Sequence, residues 1–390
     1  METTAPGGIN KTIIEIAKHL SIEGHNVTVL QANPLDLPTE EIYDGFKIIR
    51  VKTRFSDKLY GLHPEFYSFF KRNIACLKPD IVHIHGYHTL FSLEAIFLIK
   101  KTNPLVPLIF SPHFDISSHD TVAGKYLWNF YNSLIGKKIS KLPALICAAS
   151  RFEAKNVHNI LGVPENKIKI IPHGVDTLEL NDKIKNKNKS LNILYVGYLL
   201  ELKGVQYAIK ALKELVTDNK INTTLTIVGK GPYEKDLKAL AEKLNVNKNI
   251  DWKGFVSSSD LIAGYKKADV FILASISENY GIVVAEALAL GTPVIVTKTT
   301  ALNEFLDEPG CFGINYPPDP KKLAQLILKI YHENPQVGPF SNKIRTWDKV
   351  VGDYERLYYK ICNIQMPIDK ELIPKPILFA NQQEFSEQFS

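Results

Sequence analysis

No apolar run in this 390-residue chain is long enough to cross a bilayer, and its opening Met1-Glu-Thr-Thr is acidic where a leader would be basic and then apolar. Both absences predict a soluble, cytoplasmic protein. Cysteine is sparse: Cys76, Cys147, Cys311 and Cys362 have neither metal-ligand spacing nor the density of a disulfide framework, and read as reduced core residues. No basic block is interleaved with aromatics, which excludes a nucleic-acid recognition module. The net charge of +6 favours anionic substrates or an anionic membrane surface instead. No Gly-x-Gly-x-x-Gly follows a strand with an acidic residue beyond it, which argues against a nicotinamide oxidoreductase. What is present is a length that predicts two domains and a hydrophobic content of 45%, ample for two packed cores.

One stretch organises the rest. Ala268-Asp-Val-Phe-Ile-Leu-Ala274 and Val294-Ile-Val296 are short apolar runs that favour strand, and a helical pattern lies between them. The helix is expected to begin near Gly281 and to stop at Gly291, with Pro293 preventing continuation. Glu278 then sits on the loop at the helix mouth and Glu286 about a turn and a half inside, so both can address one ligand. Between them the amides of Asn279, Tyr280, Gly281 and Ile282 form an anion site, because a helix start leaves donors unpaired at the positive end of the dipole. A ligand with phosphate in the middle and hydroxyl-rich groups on both sides fits this arrangement. The plain alternative is a crossover helix with two solvated glutamates.

Glu-x7-Glu followed by Ala-Leu-Ala-Leu-Gly-Thr-Pro-Val resembles the signature of the retaining glycosyltransferases of family four. The resemblance implies an α/β chain with two Rossmann-like doubly wound domains facing each other across a cleft, the GT-B fold. It extends over roughly residues 6–361, tightly in the second half and more loosely in the first. The expected division is 1–175 for an acceptor-side domain, 176–345 for a nucleotide-sugar-binding domain, and 346–390 for a terminal helix returning to the first domain plus a tail. The lysine-rich stretch 181–189 reads as interdomain linker. After residue 363 the tail, with Pro367, Pro374 and Pro376, shows no helical pattern and is expected to pack loosely or be disordered.

In the first half, Ala5-Pro-Gly7-Gly8 opens into a helix over 9–23, and its glycines would let a phosphate or sugar approach the backbone. A doubly wound domain should start with a strand before this loop, yet only Met1 to Pro6 precede it here. Either that stub is the strand or the first strand is missing, with the reading frame beginning upstream. Ile81-Val-His-Ile-His85 is a strand in which His83 is expected to be a satisfied core residue and His85 to reach the cleft. A metal held with His88 lacks a completing carboxylate or cysteine. Pro107-Leu-Ile-Phe110 is a strand leading to His113 and Asp115, at a strand end that faces the ligand crevice; His113 matches the family's functional histidine. The segment Ile171-Pro-His-Gly-Val-Asp176 resembles the family's Ile-Pro-Asn-Gly-Val-Asp, with His173 in place of asparagine.

In the second half, the loop Gly197-Tyr-Leu-Leu-Glu-Leu-Lys203-Gly204 matches one that supplies the family with an arginine and a lysine for the donor diphosphate. Lys203 is present, but Tyr198 stands where arginine is usual; Lys230 is a further candidate cation. Val228-Gly229-Lys-Gly matches a loop near the nucleotide, Lys253-Gly-Phe-Val256 one beside the base, and Asn303-Glu304 the segment after the signature. The resemblance implies transfer of a sugar from a UDP-, GDP- or ADP-sugar to an acceptor hydroxyl with retention, in cell-surface glycan, polysaccharide or glycolipid synthesis. Glu278 would hold the transferred sugar, Glu286 the ribose, and Lys203 with the helix-mouth amides the diphosphate, while His113 positions sugar and acceptor. Neither a resident cofactor nor a metal is expected, since no Asp-x-Asp lies near these residues. Two alternatives remain open: a non-catalytic sugar-nucleotide-binding subunit and a nucleotide-sugar epimerase. Aromatics and lysines around residues 66–72 suggest a membrane-facing helix or a buried amphipathic one.

Overall fold

The computed structural model describes residues 7–33, 37–52, 69–70, 77–88, 90–114, 122–176, 190–218, 222–341, 343–365 and 377–381. Asp115, the stretch 181–189, Met1 to Pro6 and most of 66–72 lie outside them. The chain divides into two compact units, Met1–Gly174 with Trp347–Ser390, and Val175–Thr346.

The first unit alternates helices α1 (Gly8–Ile22), α2 (Leu90–Thr102), α3 (Val122–Tyr131) and α4 (Arg151–Leu161) with strands β1 (Val27–Asn33), β2 (Glu40–Tyr43), β3 (Phe46–Lys52), β4 (Ile81–His85), β5 (Leu108–Ser111), β6 (Leu145–Ala148) and β7 (Ile168–Ile170). Strands β1, β4 and β5 are buried along their whole length, because a parallel sheet covered on both faces has no solvent side to favour alternation. Ile13, Ile16, Ala17 and Leu20 of α1 form the apolar stripe that helical spacing predicts. They pack with Val350, Val351, Tyr354 and Tyr358 of the helix Trp347–Cys362, which covers the same face of the sheet. On the other face, of the 66–72 segment, Phe70 is buried at 1% exposed and Phe69 is half-buried against the core.

The tail corrects the sequence reading. Residues 377–381, in a tail expected to pack loosely or be disordered, form a strand in the middle of the first sheet, whose order is β2-β3-β1-(377–381)-β4-β5-β6-β7. Ile377↔Val27 and Asn381↔Gln31 pair it parallel to β1, and Ile377↔Ile81 to Ala380↔Ile84 pair it parallel to β4. This is the position a doubly wound unit gives its first strand. The slot that seemed empty at the start of the chain is therefore filled from its far end.

The second unit is a six-stranded parallel sheet. Its strands are β8 (Ser190–Val196), β9 (Asn222–Val228), β10 (Ile250–Gly254), β11 (Val270–Leu273), β12 (Val294–Thr297) and β13 (Cys311–Ile314), in the order β10-β9-β8-β11-β12-β13. Helices α5 (Val205–Asp218), α6 (Glu234–Lys243), α7 (Ser258–Lys267) and α8 (Ile282–Ala289) connect them and α9 (Pro320–Glu333) follows β13; Trp347–Cys362 is α10 and Ile377–Asn381 is β14. Helix α8 starts behind Gly281, whose φ of 97° is a left-handed conformation that strains any other residue, and a Cβ there would lie 2.9 Å from Leu302.

Deleting residues 377–390 is expected to leave the backbone donors and acceptors of β1 and β4 without partners. Hydrogen exchange should then show the amides of Leu30 and His83, which face β14, losing protection, while those of β8 and β11 in the second unit keep theirs; unchanged protection at His83 would mean that β14 is dispensable.

Candidate functional site

Strand order in the second unit reverses between β8 and β11, and doubly wound sheets take ligands outside the carboxyl ends of the strands at such a switch point. The loops that follow these two strands carry the predicted residues. They are held backbone to backbone: a Cβ on Gly204, whose φ is 78°, would lie 2.0 Å from the Ala274 carbonyl oxygen. Ser275, fully buried, ties them further. Its Oγ donates toward Ser277 O (2.9 Å) and Leu202 O (3.2 Å), and its own carbonyl accepts from Thr297 and Thr299.

Lys203 ends a short turn at Glu201–Lys203, and its Nζ donates to Glu278 Oε1 at 2.7 Å, the side chains being 22% and 16% exposed. The two groups assigned to different parts of a ligand thus hold each other. An ammonium has three donors, so the pair leaves Lys203 capacity for an anion. The Glu278 amide donates to Thr300 Oγ1 at 3.0 Å, which fixes the loop against the turn after β12. Next along the chain, Gly281 O accepts from Val284 and Ala285, so Gly281, Ile282 and Val283 carry the helix-start amides that precede the intrahelical ladder. One turn in, Glu286 is 8% exposed, and its Oε2 accepts from the Tyr265 hydroxyl at 3.0 Å. Burial, and then Glu286 itself, push the Tyr265 pKa well up, which keeps that hydroxyl a donor.

Three of the residues expected at the ligand also have a place in the packing. Tyr280 is buried, with its hydroxyl donating to Lys343 O at 3.0 Å and its ring edge-on to Phe305, so only its backbone faces the helix mouth. A Cβ on Gly229 would lie 2.0 Å from the Gly197 carbonyl oxygen, and one on Gly197 would lie 3.0 Å from the Tyr195 hydroxyl. Their role in the structure is to let two loops touch. Asn279, in contrast, is half-buried on the loop between Glu278 and the helix. Lys230 places its ammonium 5.5 Å from the ring centroid of exposed Phe255, and Tyr198 is half-buried with its carbonyl accepting from Tyr195.

In the first unit, four histidines form one buried row. His83 Nδ1 meets the Tyr358 hydroxyl at 2.7 Å and its Nε2 meets Ser111 Oγ at 2.8 Å, as expected of a satisfied core residue. His85 lies 4.1 Å from His83 between ring centroids, and its Nδ1 is 3.1 Å from His113 Nε2. It is fully buried, so it ends in this row and not at an open surface. His113, at a φ of 48°, stacks on His173 at 5.6 Å. His173 Nδ1 lies 3.2 Å from Thr12 Oγ1, whose proton goes to Gly8 O at 2.8 Å. The hydroxyl must therefore accept, which puts the His173 proton on Nδ1 and leaves Nε2 an acceptor. The row thus reaches the start of α1, where Gly7 is the extended residue before the helix and Gly8 its first member. His88 stacks on Trp128 instead, and among the described residues no group of three His, Cys, Asp or Glu could hold a metal. Thr12 and Tyr265 escape a reading by motif, since each acts through a contact remote in sequence.

Residues 6–178 match the family model Glycosyltransferase Family 4, and residues 176–347 the model Glycosyl transferases group 1. The chain belongs to the group 1 glycosyltransferases of family 4. Among the relatives of this glycosyltransferase is the alpha-monoglucosyldiacylglycerol synthase of Acholeplasma laidlawii, 25% identical over 91% of this chain and 92% of that one. The sucrose-phosphate synthase of Thermosynechococcus elongatus shares its fold with a TM-score of 0.75 at 18% identity, covering 92% of this chain and 94% of that one. Anabaena Alr3699/HepE, solved in complex with UDP-glucose, does so with a TM-score of 0.63 at 16% identity, covering 93% and 95%. The fold is accordingly GT-B.

Burial drives the glycosyltransferase's histidine row neutral, lowering His83 to about 3 and His173 to about 4, and His113 and His85 well below the ordinary 6.5. For His113, neighbouring His173, His83 and His88 add to the burial. The unfolded chain then binds protons below pH 6.5 that the folded one refuses, so stability is full above that pH and falls as it drops toward 4. Each such histidine costs up to about 1.4 kcal/mol per pH unit. Urea unfolding at pH 7 and pH 5 should show this loss, and His173→Asn should lessen it; an identical slope in that variant would contradict the assignment.

Proposed function

We propose that this glycosyltransferase moves a sugar from a nucleoside-diphosphate sugar to an acceptor hydroxyl with retention of configuration. The observation that carries the reading is the gathering of Lys203, Glu278, the α8 mouth and Glu286 at the switch point of one sheet. Glu286 takes the ribose hydroxyls and Tyr265 holds its carboxylate for them. The diphosphate rests against Lys203 and the amides of Gly281 and Ile282, whose positive charge and dipole stabilise the leaving group. Glu278, released in part from Lys203, accepts from hydroxyls of the transferred sugar. The bond from the anomeric carbon to the diphosphate breaks, the acceptor oxygen bonds to that carbon on the same face, and the acceptor's proton leaves with the diphosphate oxygen. His113 is assigned to the sugar and acceptor. Positive side chains and amides serve where other transferases use a divalent metal. UDP-glucose bound to a protein of the same fold and the glycolipid synthase among the relatives support a UDP-hexose donor and a lipid or glycan acceptor.

The second reading, a non-catalytic sugar-nucleotide-binding subunit, is favoured by Tyr198 in the place of the second cation. A screen of donors and acceptors separates the two: turnover of a donor, by transfer or hydrolysis, establishes the enzyme, and binding without turnover the subunit.

Calorimetry with UDP-glucose is expected to show Glu286→Ala and Lys203→Ala each weakening binding by about tenfold or more, as loss of a hydrogen bond to a charged group costs roughly 1.5–3 kcal/mol. Affinity at the wild-type level in either variant would break the assignment. Tyr265→Phe tests the positioning of Glu286 separately. It should weaken UDP by roughly five- to tenfold and leave 2′,3′-dideoxy-UDP unaffected, whereas a merely structural defect would weaken both alike.

A further inference from the structure

Helix α3 continues into a π-helical turn at Asn132–Gly136 and a short helical turn at Lys137–Ile139, and this segment is apolar on both sides. Its inner side is fixed. Trp128 and Tyr131 pack on the core, Asn132 Oδ1 accepts from the buried Tyr87 hydroxyl at 2.8 Å, and a Cβ on Gly136 would overlap that hydroxyl at 1.8 Å. The outer side carries Tyr126, 74% exposed, Phe130, 64% exposed, and Leu134 and Ile135. Tyr126, Phe130 and Leu134 follow one another at helical spacing of four, and the extra residue of the π turn brings Ile135 outward beside Leu134. A row of large apolar side chains on a helix clamped from beneath cannot turn inward. Such a patch marks an interaction surface.

Charge identifies the occupant. Lys137, Lys138 and Lys141 are exposed directly after the apolar row, and the sequence holds no aspartate or glutamate from Thr121 to Phe152. A second copy of this chain meeting the patch through a twofold axis would present the same segment, which offers these lysines no acidic partner. An anionic lipid surface matches both parts, taking the aromatic and aliphatic side chains into its interface and the lysines at its headgroups. Among the described residues no helix is long and apolar enough to cross a membrane, so the contact is one of lying on the surface.

We infer that the outer face of 126–141 docks this protein on membranes rich in anionic phospholipid, with Tyr126, Phe130, Leu134 and Ile135 entering the interface and Lys137, Lys138 and Lys141 reading its charge. This goes beyond the sugar-transfer reading, and vesicle binding is measured without donor or acceptor, so either can fail alone. The test is co-sedimentation of the full chain with vesicles of phosphatidylcholine, with and without phosphatidylglycerol. Binding is expected only with phosphatidylglycerol and should weaken as salt is added. Phe130→Glu should reduce it by roughly tenfold or more, and replacing Lys137, Lys138 and Lys141 by Gln should cost about fivefold for each lysine. Both variants change exposed side chains and should keep the wild-type unfolding midpoint. Equal binding to the two kinds of vesicle, or wild-type binding by folded Phe130→Glu, would overturn the inference. So would a chain that ignores vesicles but forms a dimer that Phe130→Glu dissolves, since the face would then join two copies. Should Phe130→Glu fail to fold, the lysine variant and the lipid and salt dependence of the wild-type chain decide the matter.

Discussion

The second unit depends on the parallel pairing of β8 with β11, Val270 beside Ile193 and Phe271 beside Leu194. This pairing brings two loops from distant parts of the sequence side by side at one sheet edge. Everything assigned to the ligand follows from that proximity. Lys203 can reach Glu278 only because Gly204 lets its backbone close on the Ala274 carbonyl, and Ser275 locks the two loops at that separation. Glycine and serine supply no chemistry of their own here. They set the distance at which lysine and glutamate act.

The ion pair also describes the state from which binding starts. A partly shielded ammonium and carboxylate in contact neutralise each other, so neither is left as an uncompensated charge in a protein environment. A diphosphate competes with Glu278 for the lysine, and a sugar's hydroxyls can take up the carboxylate as it is released. The helix-start amides, by contrast, are fixed by α8 and need no rearrangement. The arrangement combines one exchangeable charge with one permanent dipole.

Much of the second unit was legible because its signals are local. Gly281 before the helix, Gly291 and Pro293 after it, and apolar strands on either side are all read within thirty or so residues, and the helix lies where they put it. The contact between Lys203 and Glu278 spans 75 positions and leaves no periodic trace. Tyr265 belongs to no motif, and its hydroxyl matters only once α7 and α8 are packed. His173 stood out as a departure from the family's asparagine, but its place in a stacked row with His113 required the fold. Strand β14 was the largest miss. Five residues between proline-bearing and glutamine-rich flanks carry no pattern of their own, and their pairing with β1 and β4 is as non-local as this chain allows.

That strand also orders events during synthesis. The second unit, Val175–Thr346, has all of its strands once its last residues leave the ribosome, and can close at once. The first unit emerges earlier but lacks its middle strand until residues 377–381 appear, so β1 and β4 wait with open edges through the whole of the second unit's translation. An amino-terminal half that is made first and completed last is the part of this protein whose strand edges are longest open to wrong pairing.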